Sequence, residues 1–426
     1  MKVERTSPRE FGAKTKAAVH SLVNGGGPIS LVLNRNKVKT GPGIPELDLF
    51  SPEIARKAWK FHRTVPGYGP TPLIRLRNFA SRLGLGAVFL KDESHRFGLN
   101  AFKPLGASYA MADLIARHTN QNLDDLTFET LQAQKNQRTF AALTVVTATD
   151  GNHGKALAWT ASHLGCRAVI YIPEGSSPAR IEAIRQFGAV VEEIDGNYND
   201  ALHLAAEQAQ KNGWCLVQDA AFSHRETSPV RIMQGYLTMI CEALDQMEGE
   251  PPTHLFLQTG VGAFSGAIQA YLVSRWGADR PRVVIVEPSG CACFYQSMVA
   301  GGEEPQTLDH VDTIMSGLAC GEPSLMSWQI LRTYSDAFAA CDDEVSVLGL
   351  RLLARPFGDD PPVISGESGS VTAGLLYRML SVPGTPWAKD LGLNSDSRVL
   401  LFSTEGDTDP EKYQRLLKAE NSSVHS

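Results

Sequence analysis

The sequence lacks any apolar run long enough to cross a membrane, since none approaches the roughly 20 residues that a spanning helix needs. It also lacks a CxxC pair, and its cysteines are odd in number at 7. This pattern indicates neither a zinc site nor a disulfide framework. Early charged residues, in place of an apolar segment, predict no secretory signal. We therefore expect a cytoplasmic protein with no membrane partner and no bound metal.

An excess of positive charge is missing as well. The chain has 40 Lys and Arg residues against 46 Asp and Glu residues, which gives a formal net charge of −6. Nothing here favours binding to nucleic acid or to an anionic membrane surface. With 426 residues, the chain is long enough for two or three globular units, and its composition is that of an ordinary globular protein.

From residue 140 onward, the sequence alternates between short β-rich runs and helix-like stretches. The predicted strands are 142–148, 168–172, 190–194, 215–218, 254–258, 283–286 and 399–403, and the predicted helices are 154–164, 178–187, 198–212 and 266–276. This alternation predicts right-handed βαβ crossovers and mainly parallel sheets, whose active sites lie in loops after the strands' carboxyl ends. The first 70 residues are predicted as loops around short extended pieces, and 119–138 and 247–253 as surface insertions.

The segment 258–266, Gln-Thr-Gly-Val-Gly-Ala-Phe-Ser-Gly, follows a predicted strand and opens a helix. Glycines there let backbone N–H groups approach an anion, and a helix N-terminus favours negative charge. The segment therefore predicts a phosphate cradle. Two alternatives stay open: a dinucleotide site, with Glu287 as the ribose-binding acid, and a turn that binds nothing.

The segment 147–154, Thr-Ala-Thr-Asp-Gly-Asn-His-Gly, also joins a strand to a helix. It places Asp150, Asn152 and His153 at the edge of a sheet. Aspartate and asparagine are common turn and N-cap residues, and a single histidine is more often structural than catalytic. The combination of small, polar and glycine residues nevertheless favours a functional turn.

Lys103 stands among mostly apolar residues directly before Pro104, which suits the first turn of a helix. Both a helix N-terminus and apolar neighbours disfavour the ammonium charge. A lysine in such surroundings keeps the nucleophilic amine that Schiff-base chemistry requires. The alternative is a surface lysine whose stem lies along apolar groups.

Together these segments resemble the fold-type II pyridoxal-phosphate (PLP) enzymes, which include tryptophan synthase β and the serine and threonine dehydratases. More closely, the chain is similar to the diaminopropionate ammonia-lyases. The similar segments lie in the same order through nearly the whole chain, at 97–103, 148–154, 232–236, 316–323, 364–369 and 403–409. The resemblance replaces the dinucleotide interpretation with PLP.

The resemblance implies an α/β fold of two domains, each with a mainly parallel twisted sheet flanked by helices. The large PLP-binding domain would combine 1–105 and 230–426, and the small domain would be 106–229. PLP would lie in the cleft between them. Relatives are commonly homodimers, which predicts a homodimer here.

The resemblance also implies roles for single residues. Lys103, beside Phe102, would carry PLP, and Asn152 would contact its phenolic oxygen. The loop residues that would hold the 5′-phosphate are Gly260, Val261, Gly262, Ala263 and Gly266. Ser403 or Thr404 is the candidate partner of the pyridine nitrogen.

Members of the family that this chain resembles remove the α-proton and release the β-amino group of 2,3-diaminopropionate, which gives pyruvate and ammonia. Lys103 is the expected base on one face of this small amino-acid substrate. Asp150, where wider relatives usually carry serine or threonine, is the expected base for a D-substrate on the opposite face. Asp219 matches a second family aspartate that would bind the β-ammonium or assist its departure. The alternative for Asp219 is a strand-end cap.

The resemblance is weakest at 220–226, Ala-Ala-Phe-Ser-His-Arg-Glu, where the family typically has threonine, alanine, tryptophan and then an acidic, aromatic stretch. The substrate therefore stays open between a D or L diaminopropionate and another β-substituted alanine, with elimination or replacement as the reaction. A catalytically silent homologue is a third alternative, against which Lys103, Asp150 and the glycine loop argue. Family members also pair two cysteines, whose counterparts are Cys293 and Cys320, although a reducing cytosol disfavours the bond.

Overall fold

The computed structural model describes residues 28–39, 43–134, 138–149, 151–219, 227–381 and 386–418. Its strands, in chain order, are β1 (Ile29–Leu33), β2 (Leu73–Arg75), β3 (Ala87–Asp92), β4 (Thr144–Ala148), β5 (Arg167–Pro173), β6 (Val190–Ile194), β7 (Cys215–Leu216), β8 (His254–Gln258), β9 (Arg282–Pro288), β10 (Ala337–Cys341) and β11 (Arg398–Ser403).

The helices are α1 (Pro52–His62), α2 (Arg77–Arg82), α3 (Pro104–His118), α4 (Phe128–Ala133), α5 (Arg138–Ala142), α6 (Asn152–Leu164), α7 (Pro178–Arg185), α8 (Tyr198–Asn212), α9 (Thr227–Gln246), α10 (Ala263–Trp276), α11 (Cys293–Ala300), α12 (Leu325–Tyr334), α13 (Asp343–Ala354), α14 (Glu367–Ser381), α15 (Trp387–Leu391) and α16 (Pro410–Lys418). Within the described ranges, none of them combines the length and the apolarity that a membrane crossing requires.

The larger sheet contains 7 strands in the order β1-β10-β9-β8-β11-β3-β2. Its inner strands are parallel, and the edge strands β1 and β2 pair antiparallel with their neighbours. Both faces of the central strand β8 are covered. Leu257 belongs to the same hydrophobic cluster as Ile268 of α10, whereas Phe256 belongs to the cluster that contains Leu375 of α14. Two covered faces explain why the three middle residues of β8, 255–257, are all apolar.

The smaller sheet contains 4 parallel strands in the order β6-β5-β4-β7. Its central strand β4 is buried throughout, whereas the edge strand β6 is partly exposed. A sharp turn at Gly151, with a φ of 147°, connects β4 to α6. An L side chain rarely adopts this φ, so the turn needs glycine. It brings Asn152, the first residue of α6, to the carboxyl edge of the sheet.

The predicted strands and helices after residue 140 occur, with their ends within three residues of the predicted bounds. The prediction for the first 70 residues was incomplete, because α1 lies there. Its start carries ordinary helix signals: the Ser51 hydroxyl accepts the N–H of Ile54, and Pro52 occupies the first helical turn.

The prediction of a surface insertion at 119–138 was partly wrong. The described part of this segment contains α4, whose Phe128 and Leu131 are fully buried. Phe128 stacks on Trp159 of α6, with ring centroids 5.8 Å apart. Two apolar residues on one helical turn therefore anchor an otherwise polar segment to the core.

The strands divide between two regions of the sequence. Those of the smaller sheet fall within 106–229, and those of the larger sheet fall outside it. Helix α3 packs against both α6 and α9. It crosses α9 closely, because a Cβ on Gly235 would lie 2.3 Å from the carbonyl oxygen of Leu105. The domain boundaries themselves stay a prediction.

A buried cluster of charged side chains precedes the segment that carries Lys103. Arg96 donates two hydrogen bonds to Glu242, at 2.9 and 2.8 Å, and two to Glu93, both at 2.9 Å. Lys91 lies 2.8 Å from Glu242, and the side chains of all four residues are fully buried. Since a buried charge is tolerated only when paired, the cluster fixes the backbone at the start of this segment.

We expect Arg96→Met to lower the free energy of unfolding by about 3–5 kcal/mol, because it leaves Glu93 and Glu242 buried without their shared cation. Urea unfolding followed by circular dichroism measures this change. Arg117→Met is the control, since the Arg117 side chain is 51% exposed although it pairs with Asp113. Its expected cost is about 0–1 kcal/mol. Equal costs for the two variants would contradict the importance of the buried cluster.

Candidate active site

A cleft lies where the carboxyl ends of β4, β8 and β11 meet the N-termini of α3, α6 and α10. It encloses about 760 Å³ of empty space, counting the solvent at its mouth. The predicted site residues that line it are Phe102, Lys103, Asn152, Asp219, Gly260, Val261, Gly262, Ala263 and Thr404. The structure thus brings together residues from both sheets. Asp150 lies outside the described residues.

Lys103 precedes the first turn of α3, where Pro104 begins the helix. Its Nζ lies 2.5 Å from Oδ2 of Asp219 and 5.4 Å from the ring centroid of Phe102. The backbone N–H of Phe102 donates to the carbonyl of Thr404 at 3.1 Å, which ties this segment to the loop after β11. The Lys103 side chain is 16% exposed, so it points into the cleft rather than into bulk solvent.

Asp219 follows β7 and is almost completely buried. Burial opposes ionisation of its carboxyl, but the charge and hydrogen bond of Lys103, together with His153, outweigh burial and lower the pKa of Asp219 to about 2. Its other oxygen accepts a hydrogen bond from Nε2 of Gln218 at 3.2 Å. The carboxylate therefore binds a cationic amine in the cleft.

The glycine loop opens α10. Gly262 is its N-cap residue, with a φ of 97°, and a Cβ there would lie 2.6 Å from Cβ of Ser327. The first N–H groups of any α-helix lack partners within the helix, so they are available to an anion in the cleft. Gly266 does not line the cleft. It lies against α12 instead, where a Cβ would be 3.0 Å from Oγ of Ser327.

Glu287 has a different role from the ribose-binding acid of the dinucleotide alternative. Its two carboxylate oxygens accept the backbone N–H groups of Phe294 (2.9 Å) and Tyr295 (2.7 Å) in the first turn of α11. Burial raises the pKa of Glu287 to about 8. Since Glu287 is 1% exposed and does not line the cleft, the dinucleotide alternative has no support.

The two hydroxyl candidates after β11 are placed differently. Thr404 lines the cleft, and its Oγ1 accepts a hydrogen bond from Nε2 of Gln258 at 3.0 Å. Ser403 does not line it; the Ser403 hydroxyl donates to Oγ of Ser365 at 2.8 Å. Asn152 lines the cleft and donates from Nδ2 to Oε2 of Glu405 at 2.5 Å.

Sequence reasoning missed several residues of the cleft. They are Thr149, His153, Tyr198, Gln258, Ser368, Glu405 and the segment 316–320. Most of them belong to segments that carry the family resemblance, which was the available signal. Tyr198 had no such signal, because it lies at the start of α8 and its hydroxyl accepts from Nε2 of Gln218.

The cysteines near the cleft are free thiols. Cys320 lines the cleft, and Sγ of Cys293 lies 3.5 Å from the carbonyl oxygen of Cys320. Burial raises the pKa of both thiols well above the ordinary value. The structure therefore contains no bond between Cys293 and Cys320.

Comparison with known proteins identifies the family. The sequence profile of the pyridoxal-phosphate dependent enzymes matches residues 64–385. A diaminopropionate ammonia-lyase of Salmonella typhimurium is 42% identical over 395 residues, which cover 91% of this chain and 98% of that protein. The chain belongs to the diaminopropionate ammonia-lyases. A second member of this family, from Escherichia coli K12, is 43% identical over 385 residues, or 90% of this chain and 95% of that protein.

Solved structures lead to the same family. The Escherichia coli diaminopropionate ammonia-lyase in complex with an aminoacrylate–PLP azomethine reaction intermediate matches with a TM-score of 0.83 at 42% identity, covering 92% of this chain and 97% of that one. Its complex with D-serine has a TM-score of 0.84 and the same coverage. A threonine deaminase from Solanum lycopersicum, at 19% identity and a TM-score of 0.69, shares the fold. The predicted fold class and cofactor are confirmed.

The cleft of this diaminopropionate ammonia-lyase family member fits PLP. A mostly buried amine, a hydroxyl and a helix N-terminus lie around it, and these groups suit the aldehyde, the ring nitrogen and the phosphate of PLP. Gly260 and Gly262 leave the loop no room for side chains: a Cβ on Gly260 would lie 3.2 Å from Cα of Leu318. The loop is therefore shaped so that backbone N–H groups form its surface.

We expect Gly262→Ala to weaken the affinity of the apoprotein for PLP by about tenfold or more, because the added Cβ displaces the loop and strains its backbone. Fluorescence titration of apoprotein with PLP measures the affinity. Gly249→Ala is the matched control, since Gly249 has a φ of 88° but no heavy atom within 4 Å of an added Cβ. An unchanged affinity in Gly262→Ala would contradict the assignment of the loop to phosphate.

Proposed function

We propose that this chain is an ammonia-lyase that eliminates the β-amino group of 2,3-diaminopropionate and yields pyruvate and ammonia. The observation that carries the proposal is the contact between the Lys103 ammonium and the buried Asp219 carboxylate in the cleft. It supplies both the amine that PLP requires and a carboxylate suited to a cationic substrate. The chain is 42–43% identical to diaminopropionate ammonia-lyases, which supports this reaction.

Lys103 is proposed to hold PLP covalently at rest. Bound PLP supplies the electron sink that stabilises the charge left by removal of the α-proton. Once the substrate has displaced Lys103, the freed amine is proposed to take that proton on one face of the substrate. The rings of Phe102 and Tyr236, with centroids 5.4 and 5.9 Å from Nζ, place aromatic surface beside this amine.

Asp219 is proposed to bind the substrate's β-ammonium. In the structure its partner is the Lys103 ammonium at 2.5 Å. When that nitrogen is bound to PLP, it is no longer a free ammonium, and the substrate's β-ammonium is proposed to take over the contact with Asp219. The pKa of Asp219 is about 2 beside the Lys103 ammonium, and a substrate ammonium in the same place would favour the ionised carboxylate in the same way.

Asp150 is proposed as the base on the opposite face, for a D-substrate. Its own placement lies outside the described residues, so the proposal rests on the sequence and on its neighbours. Thr149 and Asn152, on either side of the turn, both line the cleft. A carboxylate in this turn would add to the negative charge of Asp219 and favour a cationic substrate.

A second candidate function is elimination or replacement on another β-substituted alanine. One observation favours it: the Escherichia coli relative was solved in complex with D-serine, which carries a hydroxyl on its β-carbon. The segment 220–226, which departs from the family, lies outside the described residues. A catalytically silent homologue is not supported, because Lys103 and the glycine loop meet in one cleft.

The chain is also proposed to form a homodimer and to function in the cytoplasm. The family resemblance supports the dimer. The free state of the cysteines supports a reducing compartment.

We expect pyruvate release from D- or L-2,3-diaminopropionate to exceed release from either serine isomer. Lys103→Ala should lose about 10²–10⁴-fold of the activity together with the visible absorption band of the bound cofactor, because the covalent link and the base disappear together. Lys57→Ala, at an exposed lysine on α1, is the control. Pyruvate from serine but from neither diaminopropionate isomer would favour the second candidate function.

We expect Asp150→Asn to reduce turnover of the D-isomer at least about tenfold more than turnover of the L-isomer, because only one face of the substrate loses its base. Steady-state kinetics on each purified isomer measure the two losses, and the L-isomer serves as the internal control. Equal losses on both isomers would refute the division of the faces.

A further inference from the structure

Glu405 is a cleft residue whose position leaves it little freedom. It follows β11 by two residues and is 2% exposed, although it lines the cleft. Its side chain lies between two glycines. A Cβ on Gly366 would be 3.1 Å from Cγ of Glu405, and a Cβ on Gly317 would be 3.7 Å from Oε2. The carboxyl group is thus packed on both sides.

The hydrogen bonds of Glu405 connect the two parts of the chain. Its Oε2 accepts from Nδ2 of Asn152 at 2.5 Å and from the hydroxyl of Thr408 at 3.5 Å, and its Oε1 accepts from the backbone N–H of Ser368 at 3.2 Å. Asn152 opens α6, beside the smaller sheet, whereas Glu405 belongs to the larger sheet's loops. The Asn152 amide is therefore oriented from across the cleft.

A second buried carboxylate, that of Glu367, adds negative charge near Glu405. Glu367 lies nearby and pairs with Lys412 at 2.6 Å and with Arg180 at 3.4 Å. Burial and the negative charge of Glu367 raise the pKa of Glu405. Glu405 thus accepts hydrogen bonds from an amide, a backbone N–H and a hydroxyl. These neutral donors hold the Glu405 carboxyl in place although its pKa is raised.

We propose that Glu405 is a positioning residue that orients the Asn152 amide toward bound PLP. The amide nitrogen of an asparagine carries two hydrogens in one plane. Glu405 accepts one of them, which fixes the direction of the other. Because Asn152 and Glu405 both line the cleft, the second N–H is held in place for an acceptor oxygen of PLP. This inference rests on the proposed function, since it requires PLP in this cleft.

A double-mutant cycle on the apoprotein tests the inference. The variants are Asn152→Ala, Glu405→Met and the combination, and methionine fills the packed space without an acceptor oxygen. The measurements are PLP affinity, by fluorescence titration, and the absorption maximum of bound PLP across pH. We expect Glu405→Met to weaken PLP binding about tenfold and to shift the absorption in the same direction as Asn152→Ala. In the Asn152→Ala background, Glu405→Met should add less than about twofold.

Two further variants test whether the acceptor oxygen of Glu405, rather than burial of the side chain, is responsible for the effect. Glu405→Gln keeps an acceptor oxygen for Asn152 and should restore PLP affinity to within about threefold of wild type. Glu287→Gln is the matched control, because Glu287 is equally buried but accepts the N–H groups at the start of α11 and does not line the cleft. It should leave affinity and absorption unchanged. Thermal unfolding of each apoprotein confirms that the variants fold, and Glu405→Ala replaces Glu405→Met if the latter does not.

Additive effects of the two substitutions would overturn the inference, since Glu405 would then act on PLP independently of Asn152. Unchanged absorption in the acceptor-free variant would overturn it as well. In both cases wild-type protein would still bind PLP, and the proposed function would stand. Failure of wild-type apoprotein to bind PLP would instead overturn the proposed function together with this inference.

Discussion

The ion pair between Lys103 and Asp219 is the contact on which the cleft depends. It joins the start of α3 to the loop after β7, at 2.5 Å and with Asp219 almost completely buried. Burial alone would raise the pKa of Asp219, because water no longer solvates its charge, but the Lys103 ammonium, together with His153, lowers that pKa to about 2. The carboxylate is ionised at neutral pH as a result. The roles proposed for Lys103 and for Asp219 both depend on this one contact.

Contacts between the two parts of the chain hold the cleft around that pair. Arg180 of α7 donates to Glu367 of α14 at 3.4 Å, and Asn152 of α6 donates to Glu405 after β11 at 2.5 Å. The stem of Arg180 also packs on Gly151, where a Cβ would lie 2.9 Å from its Cδ. The same arginine thus supports the turn that follows β4 and connects it to the larger sheet. The geometry of this turn depends on both parts of the chain.

The strands, the glycine loop and the place of Lys103 directly before a helix could be predicted from the sequence because each depends on a local pattern. The choice between Ser403 and Thr404 could not, since successive residues of a strand point to opposite faces and only the sheet's register decides which one enters the cleft. Glu405 was missed for another reason. Its partner Asn152 lies 253 residues away in the chain, and no local pattern reports such a contact. Phe128 was missed because it and Leu131 are two core residues within a segment whose other residues are mostly polar.

The charge of Asp219 also distinguishes the two candidate substrates. A β-ammonium would form a charge-assisted hydrogen bond with this carboxylate, as the Lys103 ammonium does, and such bonds are roughly twice as strong as neutral ones. A β-hydroxyl would offer only a neutral donor to this buried carboxylate. On the proposed role of Asp219, the cost of a buried charge without a cationic partner would fall on serine and not on diaminopropionate. We therefore expect the cleft to select the leaving group by charge more than by size, which favours an amine over a hydroxyl of nearly the same volume.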